Sequence, residues 1–322
     1  MDNYLLMHNM LINVIPYFCH VKIQLKYWVL LILLSIIWGS SFILMKKAMY
    51  SADGLTTFSS NQVATMRILF ASLVLLPFGI RAFKVFDFKK DLVSFSIVAV
   101  CGNLAPAFLF TYAETGISSG LAGMLNSITP IFTILIALLI FKDKMSFRQF
   151  LGASIGSTGV GLLLYFGKQN STQGEWSHIL SVLGATLCYA ISLSVIRYKL
   201  KHYKSLDIAA IAFLLLLPLS MVLFFTENTM NTFQNNAPIW DSLIAILILS
   251  IVGTALALFI FNTIIKNTSA LFASSVTYFI PIVAVIFGFF FEERITAPQI
   301  GGMIIALLGV FIANSNRGQK SS

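Results

Sequence analysis

"YWVLLILLSIIWGSSFILM", residues 27–45, is nineteen residues without a formal charge, entered from Lys26 and closed by Lys46 and Lys47. A helix of roughly 20 apolar residues crosses the hydrocarbon of a bilayer, so this stretch has the length of a membrane span. The pattern recurs along the chain. Uncharged runs cover 92–113, 115–141, 149–167, 179–196, 208–226, 242–265, 267–291 and 295–316, and the run 60–80 is interrupted only by Arg67. With the first stretch these make ten candidate spans. Runs such as "IFTILIALLIF" (131–141) do not alternate between apolar and polar residues as barrel strands do. The sequence therefore predicts an all-α integral membrane protein of ten transmembrane helices.

Composition agrees. The chain of 322 residues is 58% hydrophobic and only 10% charged, with a mean hydropathy of +0.88. That is too little polar surface to cover a soluble domain. The net charge of +9 is informative through its distribution, and no nucleic-acid partner is expected. If the spans alternate in direction, sixteen Lys and Arg residues fall on one side and four on the other (Lys46, Lys47, Lys168 and Arg294), with Arg67 inside the second span. The basic side faces the cytoplasm, which predicts both termini there. Residues 1–26, with Asn9, Asn13 and Pro16 and no small-residue cleavage site, read as a disordered or interfacial cytoplasmic leader rather than a signal peptide. Residues 314–322 form a cytoplasmic tail. Cys19, Cys101 and Cys188 have no pair spacing, so neither a metal site nor a disulfide framework is expected.

Sliding the chain along itself by 151 residues places Trp38-Gly39 on Tyr189-Ala190, Lys46 on Arg197, Gly102 on Gly253, Ser118 on Ser269 and Pro130 on Pro281. After a one-residue deletion the offset becomes 150, and Gln149 meets Gln299, Gly152 meets Gly302, and Gly159-Val160 meets Gly309-Val310. The second helices of the two copies match poorly. The repeats are 27–167 and 177–313. Each holds five helices, an odd number, so the second copy enters the membrane from the opposite side. The charges agree: the connection 81–90 carries four basic residues, whereas its counterpart 226–241 carries none. Inverted repeats let one sequence adopt two shapes whose exchange opens a shared cavity to alternate sides, which points to transport.

The stretches "WGSSFILMKKA" (38–48), "MRILFASLVLLPF" (66–78), "TYAETGISSGLAGMLNSITPIFTILIALLIF" (111–141) and "EERITAPQIGGMIIALLGVFIA" (292–313) resemble motifs of the EamA-type transporters of the drug/metabolite transporter superfamily. The likeness covers about 28–313, both halves. "FKDK" at Phe141 departs from it: the first repeat of the family usually has a glutamate there, and Asp143 stands in its place. The resemblance implies a ten-helix carrier of small metabolites in a bacterial inner membrane, with its cavity between the halves and no cofactor. Many relatives export and some import.

Polar groups within the spans are the site candidates, because each is costly in hydrocarbon unless partnered or wet. Trp38 and Ser41 share a face of the first helix, and Tyr189 and Ser192 are their repeat equivalents; such a face lines a cavity or packs against a neighbour. Lys46 and Arg197 end equivalent helices at opposite mouths, where each attracts an anionic solute or snorkels to headgroups. Arg67 is expected to pair with Glu114 at the outer level or to clamp a substrate carboxylate. Pro130 and Pro281 are candidate hinges, with Asn126, Ser274 and Tyr278 beside them. Asn126 and Tyr278 are expected to face the cavity, and Asn103 and Asn262 are further polar candidates. Gly152, Gly156 and Gly159, with Gly302, Ala306 and Gly309, form small-residue stripes for helix packing or, alternatively, a homodimer seam.

Other classes fit less well. His8, His20, His178 and His202 lie outside or at the edges of the spans, and neither HExxH nor GxSxG occurs, so no enzyme is expected. A channel more often shows a filter loop or a charged ring, and a scaffold has no need of inverted copies. The expected activity is export of amino acids or related zwitterionic or amphipathic solutes by alternating access. Import of a cofactor-like or nucleoside-like metabolite is the alternative.

Overall fold

The computed structural model describes residues 2–51, 53–143, 146–170, 176–235, 239–267, 273, 276–293 and 295–314; side chains are described from residue 25 onward, apart from 167–170, 234–235, 265–266 and 314. Ser269 and the candidate Ser274 lie outside the described residues. The helices are α1 (Asp2–Met49), α2 (Ser60–Ala82), α3 (Phe88–Ala113), α4 (Ser119–Leu139), α5 (Phe147–Asn170), α6 (Trp176–Lys199), α7 (Ser205–Thr226), α8 (Trp240–Ile264), α9 (Val276–Phe290) and α10 (Ala297–Asn314). Among the described residues, α1 to α8 contain stretches long and apolar enough to cross a bilayer, while α9 and α10 are shorter apolar helices. No strand is present among them, only the isolated bridge Tyr50–Thr56. The chain is a multi-pass membrane protein. The leader departs from expectation: its backbone is helical and continuous with the first span.

Side chains at the helix starts explain part of the repeat. Ser59 and Gln62 form a reciprocal capping box on α2. At α5, Gln149 accepts from the Ser146 N–H at 2.9 Å, and at α10 Gln299 accepts from the Thr296 N–H at the same distance. These contacts satisfy N–H groups that a helix start leaves without partners. The Gln149/Gln299 match is thus one capping device used twice.

The packing has pseudo-two-fold symmetry. Helix α2 lies on α7, α4 on α9 and α5 on α10, each the same helix of opposite repeats; α1 packs on α8 and α9, and its equivalent α6 packs on α3 and α4. Both buried cores draw on both repeats: one includes Phe42, Leu125, Ile246 and Val310, the other Ile68, Phe95, Ile211 and Phe213. The inversion is explicit at α2 and α7. Gln62, in the first turn of α2, donates to the Glu227 carbonyl at 3.0 Å, while Lys84 follows the other end of the same 23-residue helix. At 1.5 Å per residue, those ends are about 35 Å apart.

Helices α5 and α10 meet along the two small-residue stripes. A Cβ on Gly309 would stand 2.2 Å from the Gly156 nitrogen, and one on Gly159 would stand 2.3 Å from the Ala306 nitrogen. Gly152 is crowded in the same way by the Gly309 carbonyl and the Ala313 nitrogen. The stripes therefore cover each other within one chain, which displaces the alternative in which this face is a seam between two chains.

Candidate functional site

Two irregularities at equivalent positions shape the middle of the protein. Helix α3 widens to π-helical bonding over Val100–Leu104, and α8 does so over Ile251–Leu256. Within them the Asn103 amide donates to the Val98 carbonyl at 3.2 Å and the Thr254 hydroxyl to the Leu249 carbonyl at 3.1 Å, each reaching five residues back. Such π-segments often mark functional sites. Gly102 and Gly253 sit inside them and admit close neighbours: a Cβ on Gly102 would lie 2.5 Å from Ser192 Oγ, and one on Gly253 would lie 3.2 Å from Ser41 Oγ. Ser41 and Ser192 are buried at these two crossings, where they serve as packing surfaces for the glycines.

Between the π-segments lies a small polar cavity of about 30 Å³, room for a water or two. Its polar lining is Arg67 from α2, Asn103 from α3, Tyr189 from α6 and Thr254 from α8; Ile68 and Phe213 supply apolar wall. Both repeats contribute. The Arg67 guanidinium donates to Thr254 Oγ1 at 3.4 Å and to Met45 Sδ at 3.8 Å, both weak contacts. Among the described residues no carboxylate lies within ion-pair distance of it. The expected Arg67–Glu114 pair does not form, because helical depth places the two near one level without setting the face on which each projects.

Lys46 and Arg197 take acidic partners instead. Lys46 Nζ is 2.9 Å from Glu293 Oε1, and Arg197 Nη2 is 3.3 Å from Asp143 Oδ2. Because 46 maps onto 197 at the offset of 151, and Asp143 stands 150 residues before Glu293, one ion pair is built twice, across the repeats and at opposite ends of the molecule. The two copies differ in burial. Side-chain exposures are 29% and 9% for Lys46 and Glu293, against 48% and 42% for Arg197 and Asp143. Glu293 also accepts from the N–H groups of Ser119 and Gly120, at 2.8 and 2.9 Å, so it caps α4 of the other half. The Tyr198 hydroxyl donates to Asp143. Lys47 rests over the Phe291 ring at 4.3 Å.

Glu114 lies one residue beyond the span of α3 and is 1% exposed. Its Oε2 accepts from the Ser119 hydroxyl at 2.7 Å, while Oε1 is buried with no hydrogen-bond partner among the described residues. Burial pushes its carboxyl up to about 8, against the opposing pull of Lys46 and the Ser119 bond. Between the ordinary carboxylate range and about 8, the folded protein holds a proton that the unfolded chain has released. Stability should therefore fall as pH rises through that window and level off above it. Thermal midpoints of detergent-solubilised protein at pH 5 and 8.5 should show this decline in the wild type and a smaller one in Glu114→Gln; equal slopes would contradict the assignment.

The remaining candidates divide. Trp38 packs on Phe261 with ring centroids 5.4 Å apart, at the α1–α8 seam, whereas its equivalent Tyr189 lines the cavity. The Tyr278 hydroxyl donates to the Val310 carbonyl at 3.1 Å and its ring meets Phe311; it turns toward α10 rather than into the cavity. Asn126 begins a 3-10 turn, Asn126–Ile128, that interrupts α4 directly before Pro130, and its side chain accepts from Thr129 at 3.4 Å. Pro281 lies inside the uninterrupted α9. The Asn262 amide donates to the Leu258 carbonyl of its own helix at 2.7 Å, leaving Oδ1 buried without a partner among the described residues. The sequence did not single out Thr254 or Glu293, and it gave Asp143 no partner; the signals available were the match of Gly102 to Gly253 and, at the offset of 150, of "KDK" (142–144) to "EER" (292–294).

A model of the EamA-like transporter family matches this chain twice, over residues 25–165 and 176–315. The uncharacterized transporter YoaV of Bacillus subtilis is 25% identical over 290 residues, which is 88% of this chain and 94% of that protein. A probable terminal-alkyne amino-acid exporter of Streptantibioticus cattleyicolor is 22% identical over 301 residues, covering 91% and 94%. A solved crystal structure superposes with a TM-score of 0.52 over 89% of this chain and 97% of its own, at 13% identity; that likeness concerns the fold alone.

Proposed function

Because this chain belongs to the EamA-like transporter family, we propose that it is a ten-helix secondary carrier that exports amino acids or related zwitterionic solutes across a bacterial inner membrane by alternating access. Both termini are cytoplasmic in this reading, which puts the Lys46–Glu293 pair at the outer mouth and the Arg197–Asp143 pair at the inner one. The observation that carries it is the doubled ion pair. Each joins one repeat to the other, so rocking of the halves breaks one while the other holds, and the cavity never opens to both sides. The more buried outer pair and more exposed inner pair suit a form closed outside. A cavity of about 30 Å³ admits no amino acid, so passage requires the halves to part around Arg67, Asn103, Tyr189 and Thr254, with Pro130 and Pro281 as hinges.

Similarity to a probable terminal-alkyne amino-acid exporter inclines the substrate class toward amino acids. Among the described residues no carboxylate lines the cavity, which favours facilitated flux or exchange over proton drive. The test is counterflow in proteoliposomes with radiolabelled amino acids. Saturable uptake that is accelerated by unlabelled solute on the far side is expected; flux that rises linearly without exchange would indicate a pore, and no movement through folded protein would remove the reading.

A further inference from the structure

We propose that Arg67 is the recognition point for the carboxylate of the transported solute; this rests on the carrier reading and adds the chemistry of its site. Three observations converge. First, a guanidinium has five N–H donors, and among the described residues those of Arg67 find only a hydroxyl at 3.4 Å and a thioether at 3.8 Å. Second, the rest of the polar lining, Asn103, Tyr189 and Thr254, is neutral and carries hydroxyl and amide groups, so no described lining residue offsets the cation. Third, Lys46 and Arg197 already hold carboxylates. Among these three cations, the one between the two mouths is the one left without an anion.

A cation inside a span is costly, and the cost is relieved whenever an anion enters. The planar fork of arginine suits a carboxylate, which it meets with two parallel hydrogen bonds. One guanidinium balances one negative charge. A phosphate monoester, carrying roughly 1.5 to 2 charges at neutral pH, would bring a second that no lining group answers. The Tyr189 and Thr254 hydroxyls stand where they can add bonds to the same head, and Asn103 offers an amide to the neighbouring ammonium. Lining contributed by α2, α3, α6 and α8 puts the bound head in contact with both repeats, so the solute is held by the surfaces that move apart.

The experiment compares each labelled L-amino acid that exchanges in proteoliposomes with its methyl ester, which keeps the ammonium and loses the carboxylate, and with its N-acetyl form, which does the reverse. In the wild type the ester should compete at least about 30-fold more weakly than the acid, the size expected when a buried charge loses its partner, while the N-acetyl acid retains competition. Arg67→Gln should weaken the acid to the level of the ester and leave the ester unchanged, with Arg67→Lys in between. An ester that competes as well as its parent acid overturns the proposal while leaving the carrier intact. Absence of exchange with every amino acid removes both. Should Arg67→Gln fail to fold, the wild-type comparison of acid with ester still decides.

Discussion

Replacing Gly309 with alanine should destabilise the protein by about 3 kcal/mol, the upper end of what overpacking costs. The added Cβ would sit 2.2 Å from the Gly156 nitrogen and 2.6 Å from the Gly152 carbonyl. Those are backbone atoms of α5, which cannot turn aside as a side-chain tip can. Without a strong hydrophobic drive between helices in lipid, close backbone approach supplies much of the association energy, so prising α5 from α10 also loosens the two repeats from each other. Gly161 and Gly301 supply the control. A Cβ at either has nothing within 4 Å, and alanine there should change stability by no more than about 1 kcal/mol, in the favourable direction that helix propensity gives. Thermal unfolding in detergent checks the contrast; equal midpoints for Gly309→Ala and Gly301→Ala would contradict the seam.

The second large effect is expected from Glu293→Ala. This change leaves Lys46 without its partner and removes the acceptor for two N–H groups at the start of α4. Breaking a fully buried pair costs roughly 3 to 5 kcal/mol; since Lys46 keeps 29% exposure, about 2 kcal/mol is expected after allowance for solvent screening. Asp143→Ala, at the exposed counterpart, should cost no more than about 1 kcal/mol. Exchanging the charges, Lys46→Glu with Glu293→Lys, should recover only part of the loss, because a lysine at position 293 cannot cap α4. Burial alone would raise the Glu293 carboxyl, but Lys46 and the Ser119 and Gly120 N–H groups outweigh it and hold it below the usual carboxylate range. Its stabilisation is therefore present at neutral pH and disappears as pH falls through that lowered value. Melting curves of the single and exchanged variants check the order; equal losses at the two ends would show that the pairs do not differ as their burial implies.

Length and charge made the spans legible, and the offset of 151 exposed the repeat and its inversion before any helix was placed. The stripes at Gly152 and Gly302 were also readable, since residues at helical spacing must share a face. Partnership across helices was not. Lys46 and Glu293 are 247 residues apart, and only the docking of α1 against the α9–α10 connection brings them together. Arg67 and Glu114 illustrate the complementary error: sequence gives depth along a helix but not the direction in which a side chain leaves it. The π-segments escaped for another reason. An extra residue in a turn changes no composition and little periodicity, so Val100–Leu104 and Ile251–Leu256 were visible only as the Gly102/Gly253 match. Ser41 and Ser192 were placed on the faces of Trp38 and Tyr189, and those serines meet Gly253 and Gly102.

Alternating access by this chain requires its halves to be inserted in opposite directions. In closed vesicles of known orientation, a membrane-impermeant maleimide should label Lys84→Cys from one side and Glu227→Cys only from the other, since these residues bracket the two ends of α2. Labelling of both from the same side would contradict the inverted arrangement and the alternating access built on it.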